Sequence, residues 1–560
     1  MKLLPRILVD DEEEEDEFQT YTGEPGGEIG LAASPAVSAQ PLPWWALGAV
    51  WAVALLPRLY ALFFLTDPQN PGDGWHGDVF HHWQIAYLTK EVGLWDPNGP
   101  RLWDLKGLDY FWGVIHPALL VVLFYVTGSV DIVIPRLVSV LFGALVVVLV
   151  FSLCRRYWGL GVAIAAGLFA ALLPTSVFID STGFLEPMGI GLVLLGIWLW
   201  PKRGLWTGVA WALASMARAE AWIFSLGMLV ATYFRRAHER ERLLATVAWI
   251  VVILAYMKLL LDRTGNPIYP VYWNLLANIF GKWEFATNLT PDQIAARPYL
   301  VALMLAGLAG LAWTVWRRPP SYMFLMFGFG YLAYTGLSLG LTSYLKSWVS
   351  WFWQERFFLF PYEFAAVLIA IVLLSAAPRR FGRRVLPVAW AVVVIVLAVA
   401  QLEWAPILNL YDATRATWTR SQTAASQLMS VYDQQAFRGS VLNIPPDNPA
   451  MFYAMVEQHG LQGRNVVGQL YDPFYYASGF SYSQNAAVGD TLMQCWLTST
   501  HTRLWAVDPN NANYTQAIAD QPGWFTKVGS VDAYGWVVEE VHAPPSNGSE
   551  CAAATRAAGG

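Results

Sequence analysis

Eleven long apolar runs fill the chain as far as Leu402: 43–65, 135–153, 159–177, 184–200, 204–217, 219–234, 243–261, 299–316, 321–341, 357–377 and 385–402. A helix needs about 17–25 mainly apolar residues to cross a bilayer, and most of these runs are that long. In lipid only helices and closed barrels satisfy their own backbone, so a series of such runs points to a bundle of membrane-spanning helices. The run 204–217 is shorter than a straight span requires, so some helices are expected to be broken or sunk within the bundle. A composition of 56% hydrophobic and only 14% charged residues excludes an ordinary soluble enzyme, and 29 tryptophans suit aromatic belts at the membrane interfaces. The predicted fold class is an α-helical polytopic membrane protein with about 11 transmembrane helices and a C-terminal soluble α/β domain.

The basic clusters set the orientation. Arg155-Arg156, Lys202-Arg203, Arg235-Arg236 with Arg240 and Arg242, Arg317-Arg318, and Arg379-Arg380 with Arg383-Arg384 fall at every second connection. By the positive-inside rule these connections are cytoplasmic, which leaves 66–134, 178–183, Arg218, 262–298, 342–356 and everything after Glu403 outside. Residues 113–128 bear on this directly. As a twelfth span they would reverse the assignment; as a helix lying at the outer interface, the reading their short length and His116-Pro117 opening favour, they preserve it. Residues 1–42 contain the block Asp10-Asp11-Glu12-Glu13-Glu14-Glu15-Asp16-Glu17 and read as a disordered acidic cytoplasmic tail. The run 43–65 follows acid rather than a basic segment and reads as a retained first helix, not a signal peptide.

After Leu402 the pattern changes to short alternating pieces. Strands are expected at 440–444, 465–471, 502–507, 524–530 and 534–541, with helices at 448–459, 484–498 and 513–520. This alternation predicts an extracytoplasmic α/β domain over 403–545 with a mainly parallel sheet, followed by a disordered tail, 546–560. No glycine-rich fingerprint follows any strand, so nucleotide binding is unsupported. Cys154, Cys495 and Cys551 lack metal-ligand spacing and leave at most one Cys495–Cys551 bridge open.

The chemistry-bearing stretch is Gly74-Trp75-His76-Gly77-Asp78-Val79-Phe80-His81-His82-Trp83, in the outer loop 66–134. It reads either as a wet connection anchored by Trp75 and Trp83, or as a site centred on Asp78. The topology gathers Asp78, His81, His82, His116, Asp180, Glu186, Arg218, Glu220, Lys346, Glu355 and Arg356 on one face. A transporter would spread such charges through the membrane's depth, and a scaffold would not need them together. The phosphate-binding Gly-x-x-x-x-Gly-Lys-Ser/Thr loop, His-Glu-x-x-His and Gly-x-Ser-x-Gly are all absent, which weakens readings as an ATP-driven pump, a zinc protease or a serine hydrolase.

The order of features resembles a known family. Gly77-Asp78 and His81-His82 follow a first helix, then come Tyr110-Phe111-Trp112 and His116-Pro117. Next, Pro135-Arg136-Leu137 opens a span that ends in Arg155-Arg156-Tyr157-Trp158-Gly159. This is similar to the GT-C class of membrane glycosyltransferases, within it to the protein mannosyltransferase and aminoarabinose transferase group, which use polyprenyl-phosphate-linked sugars. The likeness covers about residues 44–240 and returns at Gln354-Glu355-Arg356-Phe357-Phe358. One departure is Val79, since the family's loop carboxylate is commonly followed by a second acid.

The resemblance implies an inverting transfer of sugar from a polyprenyl-phosphate carrier to a glycan, lipid or protein acceptor at the extracytoplasmic face of a cell membrane. Asp78 would be the general base, and His81, His82 or His116 would orient acceptor or phosphate. Arg356 is the first choice for the leaving phosphate because its rigid fork matches phosphate oxygens, with Arg218 and Lys346 behind it. The plainer readings are an interfacial anchor for Arg356 and an ion pair with Glu220 or Glu186 for Arg218. Related oligosaccharyltransferases bind a divalent metal through an acidic pair in the corresponding loop, so Asp78, Asp180 and Glu186 form a candidate set for Mg²⁺ or Mn²⁺. Their Trp-Trp-Asp motif is absent from 403–560.

Overall fold

The computed structural model describes residues 44–66, 78–92, 113–235, 237–272, 287–345, 348–349, 355–376, 385–444, 449–462, 466–467 and 485–557. The acidic N-terminal tail, Gly74 to Gly77, Tyr110-Phe111-Trp112 and Lys346 lie outside these residues.

Among the described residues, five helices are long and apolar enough to cross a membrane: Trp45–Leu65, Val133–Trp158, Glu239–Asp262, Pro291–Arg317 and Tyr322–Tyr344. A sixth candidate is the pair Leu160–Leu172 and Pro174–Thr182, bent by 53°. Pro174 explains the break: it opens a new helix at N1 but cannot continue the old one, for want of an N–H. The shorter apolar helices are Ile115–Thr127, Glu186–Leu199, Gly204–Ala217 and Ala221–Phe234. Shortness at 204–217 therefore marks a real break, as expected, and the structure does not establish the count of eleven. Residues 113–128 form a 13-residue helix, Ile115–Thr127, about 20 Å long at 1.5 Å per residue and too short to span upright.

Val133–Trp158 is the buried centre, packed against Trp44–Tyr60, Leu160–Leu172 and Glu186–Leu199. Between apolar helices in lipid, close van der Waals packing replaces hydrophobic drive, so small residues mark the contacts. Gly204 and Gly208 show why. A Cβ there would fall 2.0 Å from the Glu241 carbonyl oxygen and 2.1 Å from that of Ala245, so only glycine lets helix Gly204–Ala217 lie against Glu239–Thr264. On the outside, Leu56, Phe64, Val251 and Leu305 are exposed, as lipid-facing side chains are.

A single helix, Val385–Tyr432, runs 48 residues through the boundary expected at 402. The composition changes there because the helix leaves the apolar bundle, not because it ends. Strands β1 (Thr287–Asn288) and β2 (Trp348–Val349) pair antiparallel ahead of this helix; beyond it, strands β3 (Val441–Asn443), β4 (Val466–Val467), β5 (Thr502–Val507), β6 (Phe525–Val531) and β7 (Trp536–Val541) form one sheet in the order β4-β3-β5-β7-β6. Helices Pro449–His459, Ala486–Ser499 and Ala512–Asp520 lie between them, close to the sequence expectation. The sheet is mixed rather than mainly parallel: β3 pairs in parallel with β4 and β5, while β7 is antiparallel to β5 and β6. Only the four-residue turn 532–535 separates β6 from β7, and so short a connection forces an antiparallel pair. The tail expected to be disordered contains helix Gly548–Ala557, joined to Ala486–Ser499 by a Cys495–Cys551 disulfide.

Candidate active site

Helix Asp78–Val92 places Asp78 in its first turn, where the helix dipole favours a carboxylate. Arg356 comes from the 3-10 turn Glu355–Phe358 that leads into helix Leu359–Ala376. Its Nη1 donates to Asp78 Oδ2, and both side chains are buried. Glu186 opens helix Glu186–Leu199 just after Gly183, whose φ of 95° turns the chain. Glu186 Oε1 stands 3.5 Å from Arg356 Nε and 3.2 Å from Arg218 Nη2. Arg218 sits in the extended break between two helices and donates from Nε to Glu220 Oε1 at 2.8 Å. Asp78, Arg356, Glu186, Arg218 and Glu220 thus form one buried chain in which acids and guanidiniums alternate. It contains three acids and two bases. Burial raises the Asp78 carboxyl above its ordinary range; Arg356 opposes this shift and Glu186 adds to it.

A small cavity of about 10 Å³, room for about one water molecule, adjoins this chain, lined by Glu186, Arg218 and Glu220 and by Phe224, Phe327 and Tyr331. The aromatic wall is itself packed, Phe224 stacking on Tyr331 with ring centroids 4.7 Å apart.

The expected site residues divide into three groups. Asp78, Glu186, Arg218 and Arg356 come together, with Glu220. His82 and His116 meet each other, Nδ1 to Nδ1 at 3.3 Å, and burial holds both imidazoles neutral, His116 with its pKa pushed down to about 3. His81 lies half-buried on the same helix. Asp180 belongs to a second ion pair: Arg58 Nε donates to its Oδ2 at 2.6 Å, and the rest of the Arg58 fork donates to the carbonyls of Ala54, Ala170 and Ala171.

The metal set Asp78, Asp180 and Glu186 does not assemble. Among the described residues no three His, Cys, Asp or Glu side chains stand close enough to share an ion. Each of the three carboxylates faces a guanidinium, a like charge that a divalent cation would meet at short range.

Sequence reasoning missed Arg58, Arg136 and Glu363, all buried. Arg136 Nε donates to Ser181 O at 2.8 Å, and Ser176 donates to Glu363 Oε1 at 3.0 Å. Their signal was present, since an ionisable residue inside an apolar run is costly and needs a partner. Reading the runs as uniform spans concealed it.

The fold and the charge chain define a multi-pass helical membrane protein with an extramembranous α/β domain over a buried acid–arginine site. No protein-family model and no curated protein matches the chain. Among solved structures it is similar to ArnT from Cupriavidus metallidurans bound to undecaprenyl phosphate. There the TM-score is 0.48 with 16% identity, over 90% of this chain and 98% of that one. It is also similar to the Archaeoglobus fulgidus oligosaccharyltransferase tethered with an acceptor peptide containing the NVT sequon, at a TM-score of 0.47 and 14% identity, over 83% and 69%. The archaeal oligosaccharyltransferase AglB from Archaeoglobus fulgidus, in complex with an inhibitory peptide and a dolichol-phosphate, gives 0.46 and 12%, over 83% and 69%.

Proposed function

We propose that the chain is a GT-C-class membrane glycosyltransferase that moves a sugar from a polyprenyl-phosphate carrier to an acceptor at the extracytoplasmic face. The observation that carries this reading is the buried Asp78–Arg356 contact, extended through Glu186 to Arg218. It puts a proton acceptor beside guanidiniums that can take a phosphate, as the reaction requires. An acceptor O–H or N–H attacks the anomeric carbon as its proton passes to the Asp78 carboxylate. The bond from that carbon to the phosphate oxygen breaks, and its electron pair leaves with the polyprenyl phosphate, which Arg356 and Arg218 stabilise. A single displacement inverts the anomeric centre. Arriving phosphate would draw the Arg356 fork from Asp78 and leave the carboxylate free to accept the proton. The disulfide in the C-terminal domain supports an extracytoplasmic, oxidising location, in agreement with the basic clusters.

One observation favours a transporter. Arg58–Asp180 lies deep in the bundle at a helix broken by 53°, the kind of place where transporters hold ions. Yet three of the Arg58 hydrogen bonds go to fixed helix carbonyls, which suits a brace.

The deciding experiment measures transfer of labelled sugar from polyprenyl phosphate to candidate acceptors beside direct donor binding. Asp78→Asn should retain binding and lose about 10²–10⁴-fold in turnover. Full turnover by Asp78→Asn would sink the assignment of the base, and absence of transfer with flux of an unmodified solute would favour the transporter.

A further inference from the structure

Helical spacing puts Phe80, Trp83 and Tyr87 on one face of helix Asp78–Val92, and Asp78 and His82 on another. The second face meets Arg356 and His116 of the membrane bundle. The first meets the C-terminal domain. Tyr453, on helix Pro449–His459 and 1% exposed, stands edge-on to Trp83 with centroids 4.7 Å apart, 5.6 Å from Phe80 and 5.9 Å from Trp418. Its neighbour Phe452 lies 5.8 Å from Trp83 and 5.9 Å from Tyr87. The Tyr453 hydroxyl accepts from Ile132 N at 3.4 Å, beside the start of helix Val133–Trp158. Trp418, on the long helix Val385–Tyr432, stacks on Phe80 at 5.7 Å.

We propose that Tyr453 is a positioning residue for Asp78, through which the extramembranous domain fixes the helix that presents the base; this rests on the function proposed above. Aromatic rings meeting edge to face fix distance and angle more narrowly than aliphatic contacts do, and Tyr453 touches the first turns of that helix from the side opposite the charges. The helix is therefore clasped between bundle and domain, and a shift of the domain shifts Asp78. Such leverage matters because misplacement of a reacting group by about 1 Å can cost about 10²-fold in rate.

The domain does not depend on Tyr453 for its attachment, which separates positioning from adhesion. Arg420 Nε donates to Ala533 O at 2.8 Å, Ser421 and Tyr534 share a 2.8 Å hydroxyl bond, and Ala533 N donates to Gln427 Oε1 at 3.0 Å. These bonds fasten the sheet to the long helix independently.

The test uses the full chain in lipid nanodiscs. Tyr453→Ala should lower kcat for sugar transfer about 10–100-fold while the KM for a polyprenyl-phosphate sugar stays within about twofold, whereas Tyr453→Phe, which keeps the ring, should stay near wild type. Hydrogen exchange should quicken over residues 78–92 in Tyr453→Ala and remain unchanged in β5, β6 and β7. Unaltered kcat with unaltered exchange would overturn the proposal, as would loosening throughout the sheet, which would make Tyr453 a packing residue of its own domain. If wild-type protein transfers no sugar, the functional reading fails, and the exchange measurement alone decides whether Tyr453 holds the helix.

Discussion

The Arg356 guanidinium and the Asp78 carboxylate, 278 residues apart in sequence, form a buried ion pair on the inner face of helix Asp78–Val92. The pH dependence of transfer should report it. Burial raises the Asp78 carboxyl, Arg356 lowers it and Glu186 raises it, and a base acts only when deprotonated. Removing the lowering charge in Arg356→Ala should therefore move the acid limb of the kcat/KM profile, which reports the free enzyme, to higher pH. Removing the raising charge in Glu186→Gln should move it to lower pH. Profiles measured on purified protein check both signs, and opposite shifts would detach Asp78 from the rate.

The Arg58–Asp180 pair should matter to stability rather than to chemistry. Arg58→Ala leaves Asp180 buried without its partner and releases the hydrogen bonds to Ala54, Ala170 and Ala171. Breaking one side of a buried pair costs about 3–5 kcal/mol. Replacing both members, as in Arg58→Met with Asp180→Leu, should recover much of that loss. Thermal unfolding in detergent measures it, and an Arg58→Ala protein as stable as wild type would show that the pair is no brace.

Gly143 gives a second handle on the same pair. A Cβ there would lie 1.9 Å from an Asp180 carboxylate oxygen, so Gly143→Ala must displace the carboxylate from Arg58. Overpacking of this kind costs about 1–3 kcal/mol. The effect should shrink when Asp180 is already Ala, and equal losses in both backgrounds would mean the added methyl acts elsewhere.

The Cys495–Cys551 bridge should be oxidised in native membranes while buried Cys154 stays a thiol. A bridge between residues 56 apart in sequence contributes about 2–4 kcal/mol, so Cys551→Ser should destabilise the domain and free helix Gly548–Ala557. Maleimide mass shifts with and without prior reduction give the answer. Two reactive thiols at these positions before reduction would place the domain in a reducing compartment.

Much of the architecture was legible because its signals are local. Apolar length announced the spans, and alternation after residue 440 located the strands to within a few residues. Asp78, Glu186, Arg218 and Arg356, singled out because polar residues beside apolar runs stand out, come together in one buried chain, and the ion pairs considered for Arg218 are present with both Glu186 and Glu220. Nonlocal pairing was hidden. Nothing near Arg58 points to Asp180, so the acid was grouped with the wrong partners in a metal set. Nothing near Tyr453 points to Trp83, so the C-terminal domain read as separable from the helix of Asp78. Cutting the chain at the expected boundary, after Leu402, would not leave two independent pieces for the same reason. That cut falls inside helix Val385–Tyr432 and removes Trp418 and Tyr453 from the Asp78 helix.

Helix Val385–Tyr432, 48 residues at about 1.5 Å each, runs for roughly 72 Å through Pro406, with its first part in the bundle and its last part under the sheet. A tilt of about one degree at the lipid end would carry the far end about 1.3 Å, by the same rise per residue. Spanning helices tilt to match the thickness of the hydrocarbon around them. Bilayer thickness, set by acyl chain length, thereby becomes a mechanical input at Trp418, and turnover in short-chain and long-chain lipids should differ even with identical donor and acceptor.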